Sequence, residues 1–254
     1  MKRTTAFTSI IVSLFLIAGT AANAMAQELI VSAAASLTDA FNDIEPAFEA
    51  AHPNVDVIMN FASSGALYRQ IEQGAPADVY ASANPKWMNK AVTKGFVNQA
   101  DTAIFARNSL VLATPADNPA HIKTLADLTG QAVKSIGIGT PETVPAGQYA
   151  KGALTSKDLY ATLTPKMIFG ESVRQILDYL SRDEIDCGFV YRTDAVKAGK
   201  NVTIIEEVPL EKPVTYPIAV LSQSDKQAMA TAFVHFVRSD AGADLLEGRG
   251  FKRP

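Results

Sequence analysis

Cysteine is nearly missing from this 254-residue chain; Cys187 is the only one. A single thiol excludes an internal disulfide framework and a multi-cysteine metal site. Its apolar neighbourhood reads as that of a buried, inert thiol. Histidine is almost as scarce. His52, His121 and His235 are scattered over a helix end, a loop and an amphipathic stretch, and no Gly-x-Ser-x-Gly elbow occurs. A serine hydrolase needs a base within reach of its nucleophile, so the sequence argues against that enzyme class, and the chain reads as a non-enzyme. A ferric site built from tyrosine and histidine needs clustered ligands, and Tyr191 stands alone in its turn. Positive charge is not in excess either, with 23 Lys and Arg against 26 Asp and Glu and a formal charge of −3. Such a balance argues against nucleic acid and against a general affinity for anionic lipid. Any anion this chain holds must be attracted locally. Internal sequence repeats, low-complexity tracts and long charge blocks are absent too.

What is present begins with an export signal. Met1-Lys2-Arg3 is a basic start, Ala6 to Ala18 is apolar, and Ala24-Met25-Ala26 offers a small-residue cleavage site before Gln27. Residues 1–26 therefore read as a secretory signal peptide, with cleavage after Ala24 or Ala26. The apolar stretch is short for a membrane span. No cysteine follows it, so no lipid tether is expected, and the mature chain is expected in the periplasm without direct membrane insertion. Losing Lys2 and Arg3 leaves the mature chain more acidic than the full one.

The mature chain repeats one local form. Leu29 to Val31 reads as a strand, Ala33-Ala34-Ala35-Ser36 as a turn through small residues, and Leu37, Phe41, Ile44 and Phe48 as the apolar face of a helix reaching towards Glu49. Pro46 lies inside that helix and predicts a kink or an end there. Val55 to Phe61 is a second strand, followed by Ala62-Ser63-Ser64-Gly65 and a helix ending at Gly74. Ala77 to Ala83 is a third strand, and Asn84-Pro85 opens a helix from Lys86 to Lys94. Phe105 to Ala113 reads as one strand passing into new territory. Ala132 to Gly139 is a strand, and Ala146-Gly147 opens a helix after Pro145. Thr164 to Phe169 is extended, and Ser172 precedes a helix with apolar residues at Val173, Ile176, Leu177 and Leu180. Asp186 to Tyr191 is a strand with Tyr191 at its end. Val202 to Val208 and Pro217 to Leu221 are further strands, and Asp225 to Val237 and Ala241 to Leu246 are helices. Strand alternating with helix predicts an α/β fold with mostly parallel sheets.

A strand that turns into a helix leaves the first backbone N–H groups of that helix free, with partial positive charge. Parallel strands bring such turns to one edge of a sheet. Four turns of this kind, at Ser36, at Ser63-Ser64, at Ala146 and at Ser172-Val173, predict a site for a small anion. A serine at a helix start is also an ordinary N-cap, and the residues themselves leave Ser63 and Ser64 equally eligible. No lysine, arginine or histidine sits in any of the four turns. Arg69 and Arg174 fall inside helices as solvated or lobe-packing charges, Asp39 lies where acids support the helix dipole, and Lys or Arg outside the turns is expected to matter little.

Six segments occur in order: Ala33-Ala34-Ala35-Ser36-Leu37, Phe61-Ala62-Ser63-Ser64, Gly74-Ala75-Pro76-Ala77-Asp78-Val79, Lys86-Trp87-Met88, Val144 to Lys151, and Gly188-Phe189-Val190-Tyr191. Together they closely resemble the periplasmic molybdate-binding proteins of ABC transporters, the ModA type, over nearly the whole mature chain. The resemblance implies a two-lobed, type II periplasmic-binding-protein fold. Residues 27–105 with 218–254 would form one lobe and 106–217 the other, with the ligand cleft between. It implies molybdate, or tungstate, as the ligand, no further cofactor or metal, a membrane permease as partner, and a monomer. It also implies the ligand set: hydroxyls of Ser36 and Ser64, backbone donors at Ala146 and Val173, and the phenol of Tyr191. Gly65 departs from relatives with a hydroxyl there, and Thr140 from relatives with an aspartate.

A neutral, donor-only cage suits an oxyanion with no proton near neutral pH, because each of its oxygens accepts and none donates. Hydrogen phosphate carries a proton and would want an acceptor. Hydrogen bonds to a charged group contribute about 1.5–3 kcal/mol each, so several could hold the anion without a counter-charge. Sulfate has the same charge and no proton, and only cavity size would reject it; a sulfate or other small-anion binder on the same fold is the alternative reading. Donors from both lobes would favour the closed arrangement by differential contact.

Overall fold

The computed structural model describes residues 26–254. The expected export segment lies outside the described residues, except for Ala26. Two five-stranded sheets, each flanked by helices, make two lobes.

The first lobe starts with β1 (Gln27–Ala34), a single 3₁₀ turn and α1 (Thr38–Ala51). β2 (Val55–Ala62), α2 (Ser64–Glu72), β3 (Val79–Ala81), α3 (Pro85–Thr93) and β4 (Ala103–Asn108) follow. The chain then enters the second lobe with β5 (Leu110–Pro115), β6 (Ile136–Gly139), α4 (Pro145–Thr155), the short α5 (Tyr160–Leu163) and β7 (Met167–Gly170). That lobe is completed by α6 (Val173–Ser181), β8 (Cys187–Tyr191), α7 (Arg192–Ala198) and β9 (Val202–Glu207). β10 (Val214–Val220) returns to the first lobe, and α8 (Gln227–Arg238) and α9 (Asp240–Gly248) close it.

The strand orders are β2-β1-β3-β10-β4 and β7-β6-β8-β5-β9. In each sheet one strand runs against the rest: β10 in the first and β5 in the second. These are the two strands that arrive from the other lobe. Parallel strands end at the interlobe edge, so a strand entering from that edge must run the opposite way. Leu110 at the start of β5 accordingly pairs with Tyr191 at the end of β8, and Val214 at the start of β10 pairs with Asn108 at the end of β4.

Alternation sets the layers. In β3, Val79 and Ala81 join a core with Leu29, Val31, Phe41, Phe48 and Phe233, while Tyr80 between them joins a second cluster with Leu67, Tyr68, Trp87 and Met88 of α2 and α3. The Phe48 and Phe233 rings meet edge to face at 5.1 Å between centroids, fixing α1 against α8. In the second lobe Ile136, Ile138, Ile176, Leu180 and Phe189 fill the space between sheet and helices.

Two sequence expectations change. The single strand over Phe105 to Ala113 is two strands in different sheets, broken at Ser109. At the break the Asn108 side chain accepts the Ser109 N–H at 2.9 Å, a local bond that takes the place of a ladder partner for that group. The chain thus crosses between sheets at Ser109 and returns through 208–213; the expected lobe limits at 105/106 and 217/218 fall inside β4 and β10. Pro46 does not end α1, which continues to Ala51. Its missing N–H frees the carbonyl of Asn42, four residues back, and both residues are exposed, where water can take it. Phe41, Ile44 and Phe48, all fully buried, hold the helix across the gap.

One close approach tests the packing of the second lobe. A Cβ at Gly147 would lie 1.7 Å from the Gly139 carbonyl oxygen, so α4 can sit on β6 only with glycine there. Gly152, on the same helix, has no atom within 4 Å of such a Cβ. Gly147→Ala should therefore destabilise by about 3 kcal/mol or more, and Gly152→Ala should be neutral or slightly stabilising. Thermal melts of the two variants check this.

Candidate functional site

The four turns meet between the lobes. They surround a small cavity lined by Ala34, Ala35, Ser36, Ser63, Ser64, Ala83, Val144, Pro145, Ala146, Val173 and Tyr191. All five residues expected as ligands line it, and all are buried.

Each reaches the cavity by a local rule. Ser36 lies in the 3₁₀ turn between β1 and α1. Ser64 is the first residue of α2, and Ser63 is its N-cap without a capping side-chain bond. Pro145 opens α4 and has no N–H, so Ala146 presents the first one. Val173 opens α6, and the Ser172 hydroxyl accepts the Gln175 N–H at 3.2 Å as an ordinary cap. Tyr191 ends β8. Ser36 and Ser64 come from the first lobe; Ala146, Val173 and Tyr191 come from the second. Burial pushes the Tyr191 phenol well above its ordinary value, so it is a protonated donor.

The hydroxyls are held from behind. Ser64 Oγ accepts the Ala83 N–H at 2.9 Å. Ser36 Oγ lies 3.1 Å from the Tyr216 hydroxyl. The Tyr191 hydroxyl donates to the Ala83 carbonyl at 3.4 Å, across the cleft. Ala83, Asn108 and Tyr216 were not singled out from the sequence. Asn84-Pro85 after Ala83 marks a turn at the cleft edge, but nothing local marks Tyr216, which stands within a strand 180 residues from Ser36.

The lobes are in contact. Gly65 N–H donates to the Thr143 carbonyl at 2.9 Å, and Asn84 Nδ2 donates to Gln148 Oε1 at 2.7 Å. A Cβ at position 65 would come within 2.6 Å of both the Thr143 carbonyl oxygen and the Trp87 ring. Glycine at 65 is therefore a condition of close lobe contact here rather than a lost donor.

No lysine, arginine or histidine of the described residues lines the cavity. Charge is nevertheless close by. Arg174, next to Val173, pairs with Asp194 at 2.7 Å in its own lobe and with Asp39 of α1 at 2.6 Å in the other. Lys197 also pairs with Asp39. With all four ionised the group is neutral, so it ties the lobes together without placing net charge beside the cavity. Of the two roles expected for Arg174, solvated or lobe-packing, the structure shows the second: it has two carboxylate partners, one in each lobe, and Asp194 is fully buried. Burial pushes the Asp194 carboxyl up, to about 6, against the opposing pull of Arg174. At Asp39 burial also works upward, but hydrogen bonds from Lys197 and Arg174 outweigh it and hold the carboxyl below its usual value.

A set of three or more His, Cys, Asp or Glu suited to a metal ion does not occur among the described residues. A larger groove, open to solvent, runs past Lys86, Lys151 and Lys212 but also past Glu142 and Glu211. Its mixed charge and lack of converging helix starts make it a poorer anion site.

Two lobes joined by two crossings, with buried donors converging between them, define a solute-binding protein. The chain belongs to the bacterial extracellular solute-binding protein family, whose profile matches residues 29–252. It is 39% identical to the molybdate-binding protein ModA of Escherichia coli over 239 residues, 91% of this chain and 92% of that one. Among solved structures it resembles the Azotobacter vinelandii periplasmic molybdate-binding protein, with a TM-score of 0.78 at 22% identity, covering 89% of this chain and 99% of that one. It resembles the sulfate-binding protein SubI from Mycobacterium tuberculosis H37Rv equally well, with a TM-score of 0.79 at 21% identity, covering 89% and 87%. These two likenesses show the fold and do not separate the ligands.

Proposed function

We propose that this chain captures molybdate, and tungstate of the same shape and charge, for an ABC importer, and that the lobes close around the anion. Ser36, Ser64, Ala146, Val173 and Tyr191 would hold it by hydroxyl and backbone donors. The observation that carries this reading is the small cavity in which those five buried residues, from both lobes, meet without a cationic side chain. The space accessible between them, about 10 Å³, is far below the range of pockets for organic ligands, roughly 300–1,000 Å³, which favours a compact inorganic ligand over an organic one. The step from small dianion to molybdate is supported by the 39% identity to ModA of Escherichia coli over nearly the full length.

In this reading the chain has no catalytic role and no cofactor. It is exported by residues 1–26, works in the periplasm as a monomer, and presents its closed form to a membrane permease. Among the described residues no helix is long and apolar enough to cross a membrane.

Calorimetric titration with molybdate, tungstate, sulfate and phosphate at pH 7.5 tests the proposal. Molybdate and tungstate should bind tightly at one per chain, sulfate much more weakly, and phosphate with no measurable heat. Equal affinity for sulfate and molybdate would replace this reading with the sulfate one.

A further inference from the structure

A serine hydroxyl can donate or accept, whereas a fully deprotonated oxyanion only accepts. The anion reading therefore requires the Ser36 proton to point into the cavity. A chain of hydrogen bonds behind Ser36 favours that direction, and it starts from a group with no choice. The Ser109 backbone N–H can only donate, and it does so to Asn108 Oδ1 at 2.9 Å. This orients the amide and turns Nδ2 the other way. Nδ2 then donates to Thr193 Oγ1 at 2.9 Å and to the Tyr216 hydroxyl at 3.3 Å. The Tyr216 oxygen is occupied as an acceptor, and it lies 3.1 Å from Ser36 Oγ. Either hydroxyl could donate across that contact, and the arrangement in which Tyr216 donates to Ser36 Oγ leaves the Ser36 proton for the cavity. The same logic holds at Ser64, whose Oγ accepts the Ala83 N–H, another group that only donates.

We propose that Tyr216, oriented by Asn108, is a positioning residue that turns the Ser36 hydroxyl into an obligate donor and so contributes to the rejection of protonated oxyanions. Tyr216 is fully buried in β10, the strand that returns from the second lobe, and Asn108 ends β4 where the chain leaves the first. The directing chain is thus built into both interlobe crossings. Tyr216 does not line the cavity, so it acts through Ser36. Its one rival acceptor is Tyr191, whose ring packs beside it at 5.9 Å between centroids.

The inference rests on the molybdate reading, and a double-mutant cycle separates the two. Tyr216→Phe keeps the ring and its edge contacts with Phe105 and Phe251. It should weaken molybdate binding about tenfold, the size of one directed hydrogen bond to a charged group. In a Ser36→Ala background the same substitution should change affinity by less than about twofold, since the hydroxyl it acts on is gone. The ratio of phosphate to molybdate affinity should rise in Tyr216→Phe alone. Thermal melts check folding, and Asn108→Ala run through the same cycle gives an independent reading if Tyr216→Phe does not fold. Wild-type affinity in Tyr216→Phe would overturn the inference. So would an equal loss in both backgrounds, which would place the Tyr216 proton on Tyr191. A wild-type chain that takes up no molybdate would overturn the proposed function itself, before any variant is compared.

Discussion

Replacing Ser64 by alanine is expected to weaken molybdate binding by roughly 10- to 150-fold, the equivalent of one hydrogen bond to a charged group at about 1.5–3 kcal/mol. A second effect should accompany it and be separable. Ser64 Oγ accepts the Ala83 N–H inside a fully buried site, so the variant leaves that N–H without its partner. An unsatisfied buried donor costs about 1–3 kcal/mol of stability. That loss is the same with and without ligand, so it lowers the melting temperature of the free protein but cancels from the binding constant. Calorimetry reads the first effect and a thermal melt of the free protein reads the second. Ser63→Ala is the control. Ser63 also lines the cavity but makes no capping bond, so its loss should move neither quantity far. If Ser63→Ala weakened binding and Ser64→Ala did not, the two neighbours would exchange roles and the proposed ligand set would be wrong at that position.

That ambiguity shows where reading the sequence runs out. A strand, a turn of small residues and a helix are local features, and apolar spacing marks them wherever they recur. The rule that parallel strands end on one edge then brings Ser36, Ser64, Ala146, Val173 and Tyr191 towards a common cleft. Choosing between Ser63 and Ser64 needs the turn's geometry, and both residues reach the cavity. The break at Ser109 was hidden because β4 and β5 are both apolar and neither glycine nor proline separates them; the only cue is one Asn-Ser pair. Whether Pro46 ends its helix depends on whether the freed carbonyl is buried or wet, which spacing does not report. Tyr216 meets Ser36 and Asn108 only after two lobe crossings. Arg174 reads as one more charge on a helix until α1 and α7 are placed against it. Local pattern thus finds the groups that touch the anion, while the groups that hold them arrive from distant parts of the chain.

The partners of Arg174 set up the largest expected loss of stability. Arg174→Met keeps much of the side chain's bulk but leaves Asp194, fully buried, without its counter-charge at 2.7 Å. Breaking a buried pair from one side destabilises by about 3–5 kcal/mol, or roughly 6–20 °C in a chain of this size. The exposed partner matters far less. Lys197 is 49% exposed, so Lys197→Met should change stability little. pH separates the buried-charge account from lost packing. In the wild type the folded Asp194 carboxyl titrates near 6, above its ordinary 3.8. Between those values the folded chain keeps a proton that the unfolded chain has released, so this group's contribution to stability falls as pH rises through that window and is flat above it. Asp39 works in the opposite direction: its folded value is lowered, and its contribution is present above 3.8 and lost as pH falls through its folded value. Without Arg174, burial of Asp194 goes unopposed and its window extends further upward. The difference in melting temperature between Arg174→Met and wild type should therefore be large at pH 8 and shrink towards pH 4.5, where Asp194 is protonated in both. Adding Asp194→Asn to Arg174→Met should recover much of the loss at pH 8. A difference that stayed constant with pH, and was not recovered by Asp194→Asn, would mean that Arg174 contributes bulk rather than charge. Because Asp39 belongs to the other lobe, Arg174→Met should also weaken molybdate binding while leaving all five proposed donors in place. Closure of the lobes, and not the donor set alone, would then be part of what holds the anion.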